Sequence, residues 1–159
     1  WLYGRAGNPY LAPDGGAWRD NHLRFALLGY VAAQLGAGGL DPDWRPDIVH
    51  AHDWHAALAP VYLRQHPANE VRTVFTIHNL AFQGRFPLGV ADALGIPANE
   101  LTPSALEFHG DLSFMKGALL RADAITTVSP TYAREILGVE GGEGLDGVLR
   151  DGARDFTAS

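Results

Sequence analysis

The chain has 159 residues, 47% hydrophobic and 19% charged, which is enough to bury a core and too apolar for a disordered tail. Twelve Lys+Arg against 18 Asp+Glu leave a formal net charge of -6 with no basic cluster, so a surface that neutralises a nucleic-acid backbone is not expected. Zero cysteines exclude disulfides, thiolate metal sites and a cysteine nucleophile, and suit a reducing, cytoplasmic compartment.

The opening stretch to Gly16 reads as loop, because Gly4, Gly7, Asn8-Pro9, Pro13 and Asp14-Gly15-Gly16 punctuate it densely. The absence of an initiating Met leads us to expect a fragment, and no signal peptide is evident. From Asn21 to Leu35 apolar residues recur at helical spacing until Gly36, Gly38 and Gly39 stop them. The most apolar run, Phe25 to Ala33, is much shorter than the ~20 residues that span a bilayer, so no membrane partner is expected.

Asp47 to His52 then predicts a buried strand, and Trp54 to Arg64 a helix whose first turn tolerates Pro60. Val71 to Ile77 is a second strand, rich in β-branched and aromatic residues and followed by His78. Beyond a Gly/Pro-rich stretch from Gly84 to Pro103, Ser104 and Glu107 have the capping-box spacing and predict a helix running to about Arg121. Ala124 to Val128 is a third strand, and Thr131 to Leu137 a helix with Pro130 at its start. Glu140 to Ser159 reads as loop and weak helix. Strands buried on both faces that alternate with helices predict an α/β fold with a Rossmann-like parallel sheet. Three strands without a glycine-rich phosphate loop suggest an interior slice of a larger domain.

In such a sheet ligands gather at the carboxyl ends of the strands. Here those ends are His52-Asp53, His78-Asn79 and Ser129, each also explicable as ordinary turn polarity. Strand alternation puts His50 and His52 on one face, an arrangement that a zinc-dependent hydrolase would use, although Asp53 directly follows the second histidine and breaks the H-x-H-x-D-H spacing. His78, Asn79 and Gln83 offer paired donors and acceptors of the kind sugar hydroxyls need. Ser129 lacks a G-x-S-x-G context, and Glu107 with Asp111, four apart on the predicted helix, reads as a solvated face. Tyr10, Trp18 and Trp54 lie near these turns, where they serve either the core or the face of a sugar ring. Lys116 is the sole lysine, so a phosphate site would need arginine, backbone N–H groups or residues outside the chain.

R-A-G-N-P-Y (Arg5 to Tyr10), R-D-N-H-L-R-F-A-L-L-G (Arg19 to Gly29), R-P-D-I-V-H-A-H-D-W-H (Arg45 to His55), V-F-T-I-H-N-L-A-F-Q-G (Val74 to Gly84) and A-I-T-T-V-S-P-T-Y-A-R-E-I (Ala124 to Ile136) follow one another in this order. Together they resemble the bacterial glycogen synthase and plant starch synthase family, retaining glucosyltransferases that extend α-1,4-glucan from ADP-glucose. The resemblance implies a GT-B architecture of two Rossmann-like domains, with residues 1–159 forming part of the N-terminal, acceptor-side domain. It places the K-T-G-G-L donor loop upstream and the second domain downstream, so the chain alone is expected to be inactive. It implies that His78 is the catalytic histidine at the transferred glucose, and that Asn79, Asp53, Trp54 and Tyr10 bind substrate. It implies no metal or other cofactor, and a cytoplasmic location, or a plastid one in a plant. The glycine-rich stretch Leu11 to Ala17, and Phe82 where tyrosine is also common, depart from the family pattern and are expected to lie away from the sugar-binding positions. A non-catalytic glucan-binding module is the alternative, with a zinc hydrolase behind it.

Overall fold

A computed structural model describes residues 2–67, 70–152 and, for the backbone, 156–158. The first helix, α1 (Asn21–Gly36), lies where apolar spacing placed it. β1 (Ile48–His52) leads directly into a short helix, α2 (Asp53–Ala56), and then α3 (Leu58–Gln65). The single helix expected from Trp54 is therefore broken at Ala57, and Pro60 falls in the first turn of α3, where no intrahelical N–H is required. β2 (Arg72–Ile77) follows, then β3 (Arg85–Pro87) and three 3-10 turns between Leu88 and Glu100.

The helix expected from Ser104 does not begin there. β4 (Glu107–Phe108) and β5 (Asp111–Ser113) form a hairpin instead, and α4 (Phe114–Arg121) starts only afterwards. His109 (φ 50°) and Gly110 (φ 84°) make its two-residue loop with both residues left-handed, the twist that tight hairpins require. The cap of α4 is Ser113, whose hydroxyl accepts the Lys116 N–H. Glu107 and Asp111 consequently share no helix face: Glu107 accepts the Gly110 N–H, and Asp111 pairs with Arg85 at 2.9 Å.

The chain ends with β6 (Ala124–Thr127), α5 (Pro130–Glu135), α6 (Asp146–Asp151) and β7 (Phe156–Ala158). β1, β2, β6 and β7 form one parallel sheet in that order, one strand more than predicted; β3, β5 and β4 form a small antiparallel sheet beside it. Register puts Ala51, Phe75 and Ile125 in one buried row, joined with Phe25, Leu58, Val61, Phe114 and Met115 from α1, α3 and α4 in a single core. Gly29 permits the close approach of α1 to α3, since a Cβ there would lie 2.9 Å from Ala59 N. β1 is not the doubly buried strand expected. Among the described residues it is a sheet edge, with only Ala51 buried and His50 and His52 exposed.

Two polar clusters pin the scaffold. At the amino ends of β2 and β6, Asp123 accepts from the Thr73 N–H (2.8 Å) and hydroxyl (2.9 Å) and pairs with Arg64 (2.8 Å). Lys116 is buried, donates to the carbonyls of Pro103 (2.5 Å) and Glu107 (2.6 Å), and lies 5.7 Å from the Phe108 ring centroid. Burial pulls its amine below the usual lysine range, partly opposed by Glu107.

Candidate functional site

Because β1 and β2 are parallel and adjacent, their carboxyl ends emerge side by side, with His52 in register with Thr76. His50, His52, Thr76 and Thr126 share one sheet face and form a polar row across three strands. His50 Nε2 lies 2.6 Å from Thr76 Oγ1, which lies 2.6 Å from Thr126 Oγ1. Two residues beyond Thr76, His78 Nε2 lies 3.0 Å from His52 Nδ1.

Asp53 turns the chain from β1 into α2 with φ 53°, a left-handed conformation that aspartate tolerates better than most residues. Its Oδ1 accepts the backbone N–H of His78 at 2.8 Å and of Asn79 at 3.4 Å, so it ties the two strand ends together. Asn79 Oδ1 in turn accepts the Ala81 N–H at 3.0 Å, and the Leu80 N–H donates to the Tyr132 hydroxyl at 2.8 Å. Ser129, third of the strand-end groups, caps α5 by accepting the Tyr132 N–H.

Trp54 follows Asp53 and turns inward, its ring 4.7 Å from Phe25 in an edge-on contact and 5.9 Å from Phe86. Tyr10 is 47% exposed and reaches the same cluster through His55, at 4.9 Å between ring centroids. Its loop is held by Asn8 Oδ1, which accepts the N–H of Tyr10 and of Leu11, and by Asn21 and Arg24, which donate to the carbonyls of Tyr10 and Pro9. A cleft of about 730 Å³ runs between this loop and the segment after β2, lined by Tyr10, Trp18, Trp54, Phe82, Gln83 and Phe108 among others. A smaller hollow of about 390 Å³ lies between Tyr10, Leu11, Trp54, His55 and Phe82.

The expectation that Phe82 and the Leu11 to Ala17 stretch lie away from the sugar-binding positions is therefore corrected. Phe82, Leu11 and Ala17 line the cleft together with Tyr10 and Trp54, because the opening loop folds back over the end of β2. Of the predicted site residues, Asp53 meets the backbone of His78 and Asn79, while Tyr10 and Trp54 line the cleft, which His78, Asn79 and Asp53 do not; Asp53 joins the two groups only through its bond to Trp54 along the chain and its hydrogen bonds.

Electrostatics favour the uncharged form of two imidazoles, those of His52 and His55. Burial lowers the pKa of His52, as do neighbouring His50 and His78, with Asp53 opposing. Burial also lowers that of His55, again against Asp53. Among the described residues no three His, Asp or Glu side chains converge to hold a metal ion; the rings of His50 and His52 lie 4.2 Å apart and tilted, and their nitrogens engage Thr76 and His78. The contact of Tyr132 with the loop after His78 escapes sequence reasoning, since nothing in V-S-P-T-Y-A shows where its hydroxyl goes.

Residues 2–151 match the family described as the starch synthase catalytic domain. The chain belongs to that family. It is 54% identical over 159 residues to the glycogen synthase of Albidiferax ferrireducens and 57% identical to that of Leptothrix cholodnii, each alignment covering 98% of this chain and 32% of the relative. A solved catalytic domain of starch synthase IV from Arabidopsis thaliana, bound to ADP and acarbose, superposes with a TM-score of 0.79 at 30% identity, over 92% of this chain and 32% of that one. The chain thus spans about a third of the length of these relatives, and the Rossmann-like α/β reading holds. Among the described residues no helix of this starch synthase family member is long and apolar enough to cross a membrane.

Proposed function

We propose that this chain is the acceptor-side part of the N-terminal domain of a retaining GT-B glucosyltransferase, which moves glucose from ADP-glucose to the non-reducing end of an α-1,4-glucan. One observation carries the reading: His78 stands exposed at a strand end, its backbone clasped by Asp53, whose chain neighbour Trp54 lines an aromatic cleft. Imidazole and amide groups of His78 and Asn79 suit the hydroxyls of the transferred glucose, and the faces of Tyr10, Trp54 and Phe82 suit an acceptor sugar.

When transfer retains configuration, the diphosphate departs from the face on which the acceptor hydroxyl arrives, so the protein's task is to position both and stabilise developing charge. Asp53 serves by holding His78 in place, its Oδ1 accepting the N–H groups of His78 and Asn79, and we assign it no role as a nucleophile because positioning and charge stabilisation carry such a transfer. The only lysine is buried in backbone contacts, so the donor phosphates require groups beyond those at the strand ends. The 159-residue chain alone is accordingly expected not to transfer glucose, and the parent enzyme to work in the cytoplasm.

The test is His78→Ala in the full-length protein, which should lower kcat by far more than it weakens ADP binding. Unaltered turnover would remove His78 from the site. The same cleft also fits a non-catalytic glucan-binding module, and failure of the full-length protein to transfer labelled glucose from ADP-glucose would favour that alternative.

A further inference from the structure

Backbone clasping by Asp53 leaves both side-chain torsions of His78 open, yet a group that meets one sugar hydroxyl must present a defined nitrogen. His52 supplies the missing constraint. Its Nδ1 lies 3.0 Å from Nε2 of His78, with the ring centroids 5.2 Å apart. His52 is steadied in turn by the ring of His50, 4.2 Å away, and His50 is tied through Thr76 to Thr126 in the middle of the sheet. The neutral state favoured at His52 leaves one proton in the His52–His78 contact, and with Nε2 of His78 engaged, only Nδ1 remains for a ligand.

We propose that His52 is a positioning residue that orients the imidazole of His78 and selects Nδ1 as the nitrogen presented to the transferred glucose. This rests on the reading of His78 given above. His52 itself does not touch the sugar: it acts through the nitrogen-to-nitrogen hydrogen bond, and the row of His50, Thr76 and Thr126 anchors that bond to the sheet.

Two measurements test it. In the protein labelled with ¹⁵N at histidine, a scalar coupling across the hydrogen bond should join His52 Nδ1 to His78 Nε2, and His78 should populate a single tautomer. Absence of that coupling, or a tautomer balance of His78 unchanged by His52→Phe, overturns the proposal, and the wild-type measurement needs no variant to fold. In the full-length enzyme, His52→Phe keeps a ring but no nitrogen and should lower kcat about tenfold, with KM for donor and glucan changed by less than about twofold. His52→Asn, which returns a polar atom near the place of Nδ1, should recover most of the loss. A full-rate His52→Phe enzyme, or an Asn variant no better than Phe, overturns the proposal while a slow His78→Ala enzyme still upholds the site; a full-rate His78→Ala enzyme overturns both.

Discussion

The carboxylate of Asp53, a residue itself held at φ 53°, closes on the end of the neighbouring strand and accepts the His78 N–H at 2.8 Å. Asparagine tolerates that conformation and keeps an acceptor oxygen, whereas alanine does neither. Asp53→Ala is expected to cost about 1–3 kcal/mol in chemical denaturation, and Asp53→Asn less than about 1 kcal/mol. In the full-length enzyme the Ala variant should also be the slower. Equal losses of turnover would mean that the negative charge matters rather than the bond to His78.

Gly84 forms the floor under Trp54. It sits at φ 60°, and a Cβ built there would lie 2.5 Å from Cε3 and 3.0 Å from Cδ2 of the indole. Gly84→Ala therefore combines backbone strain with a displaced tryptophan, and should destabilise the protein by about 1–3 kcal/mol. A thermal melt followed by tryptophan fluorescence reports both effects, and a variant as stable as the parent contradicts the packing described.

Tyr132 reaches from α5 to the N–H of Leu80, a residue with no exposed surface. Tyr132→Phe keeps the ring and strands that donor, for an expected loss of about 1–3 kcal/mol. Amide hydrogen exchange at Leu80 should accelerate selectively, and unchanged protection there would show that another acceptor takes over.

His55 packs against Tyr10, Phe25 and Trp54, with its pKa depressed below 6.5 by burial. The unfolded chain then binds the proton more readily than the folded one. Stability is complete above the unfolded value of about 6.5 and falls as pH drops from there toward the folded value. Denaturation midpoints measured between pH 7 and pH 5 should show this slope, and His55→Phe should reduce it. Part will remain, because His52, also depressed, acts in the same window.

Three of the four parallel strands, β1, β2 and β6, are legible because their runs of β-branched and aromatic residues are the signature of strands that face a core, and their boundaries shift by only about a residue; β7, in a stretch that reads as loop and weak helix, is not. β1 misleads for a physical reason: Ile48 and Val49 read as interior, but edge position leaves Ile48 55% exposed. The hairpin at Glu107 to Ser113 was missed because Ser104 with Glu107 imitates a helix start, while His109-Gly110 is a weaker hairpin signal than Asn-Gly. At the site, the proximity of Asp53 and His78 follows from neighbouring parallel strands and could be read in advance. That Asp53 spends its oxygen on backbone, and that Phe82 joins Tyr10, depends on how loops fold back, which local pattern does not encode.

The burial of Lys116 has a practical side. With the sole side-chain amine locked beneath the hairpin, acylating and other amine-directed reagents find no lysine on the surface. Within these 159 residues the permanently cationic surface side chains are guanidinium groups, which keep their charge at any pH the fold survives, so lysine-directed labelling of this stretch needs a lysine introduced by design.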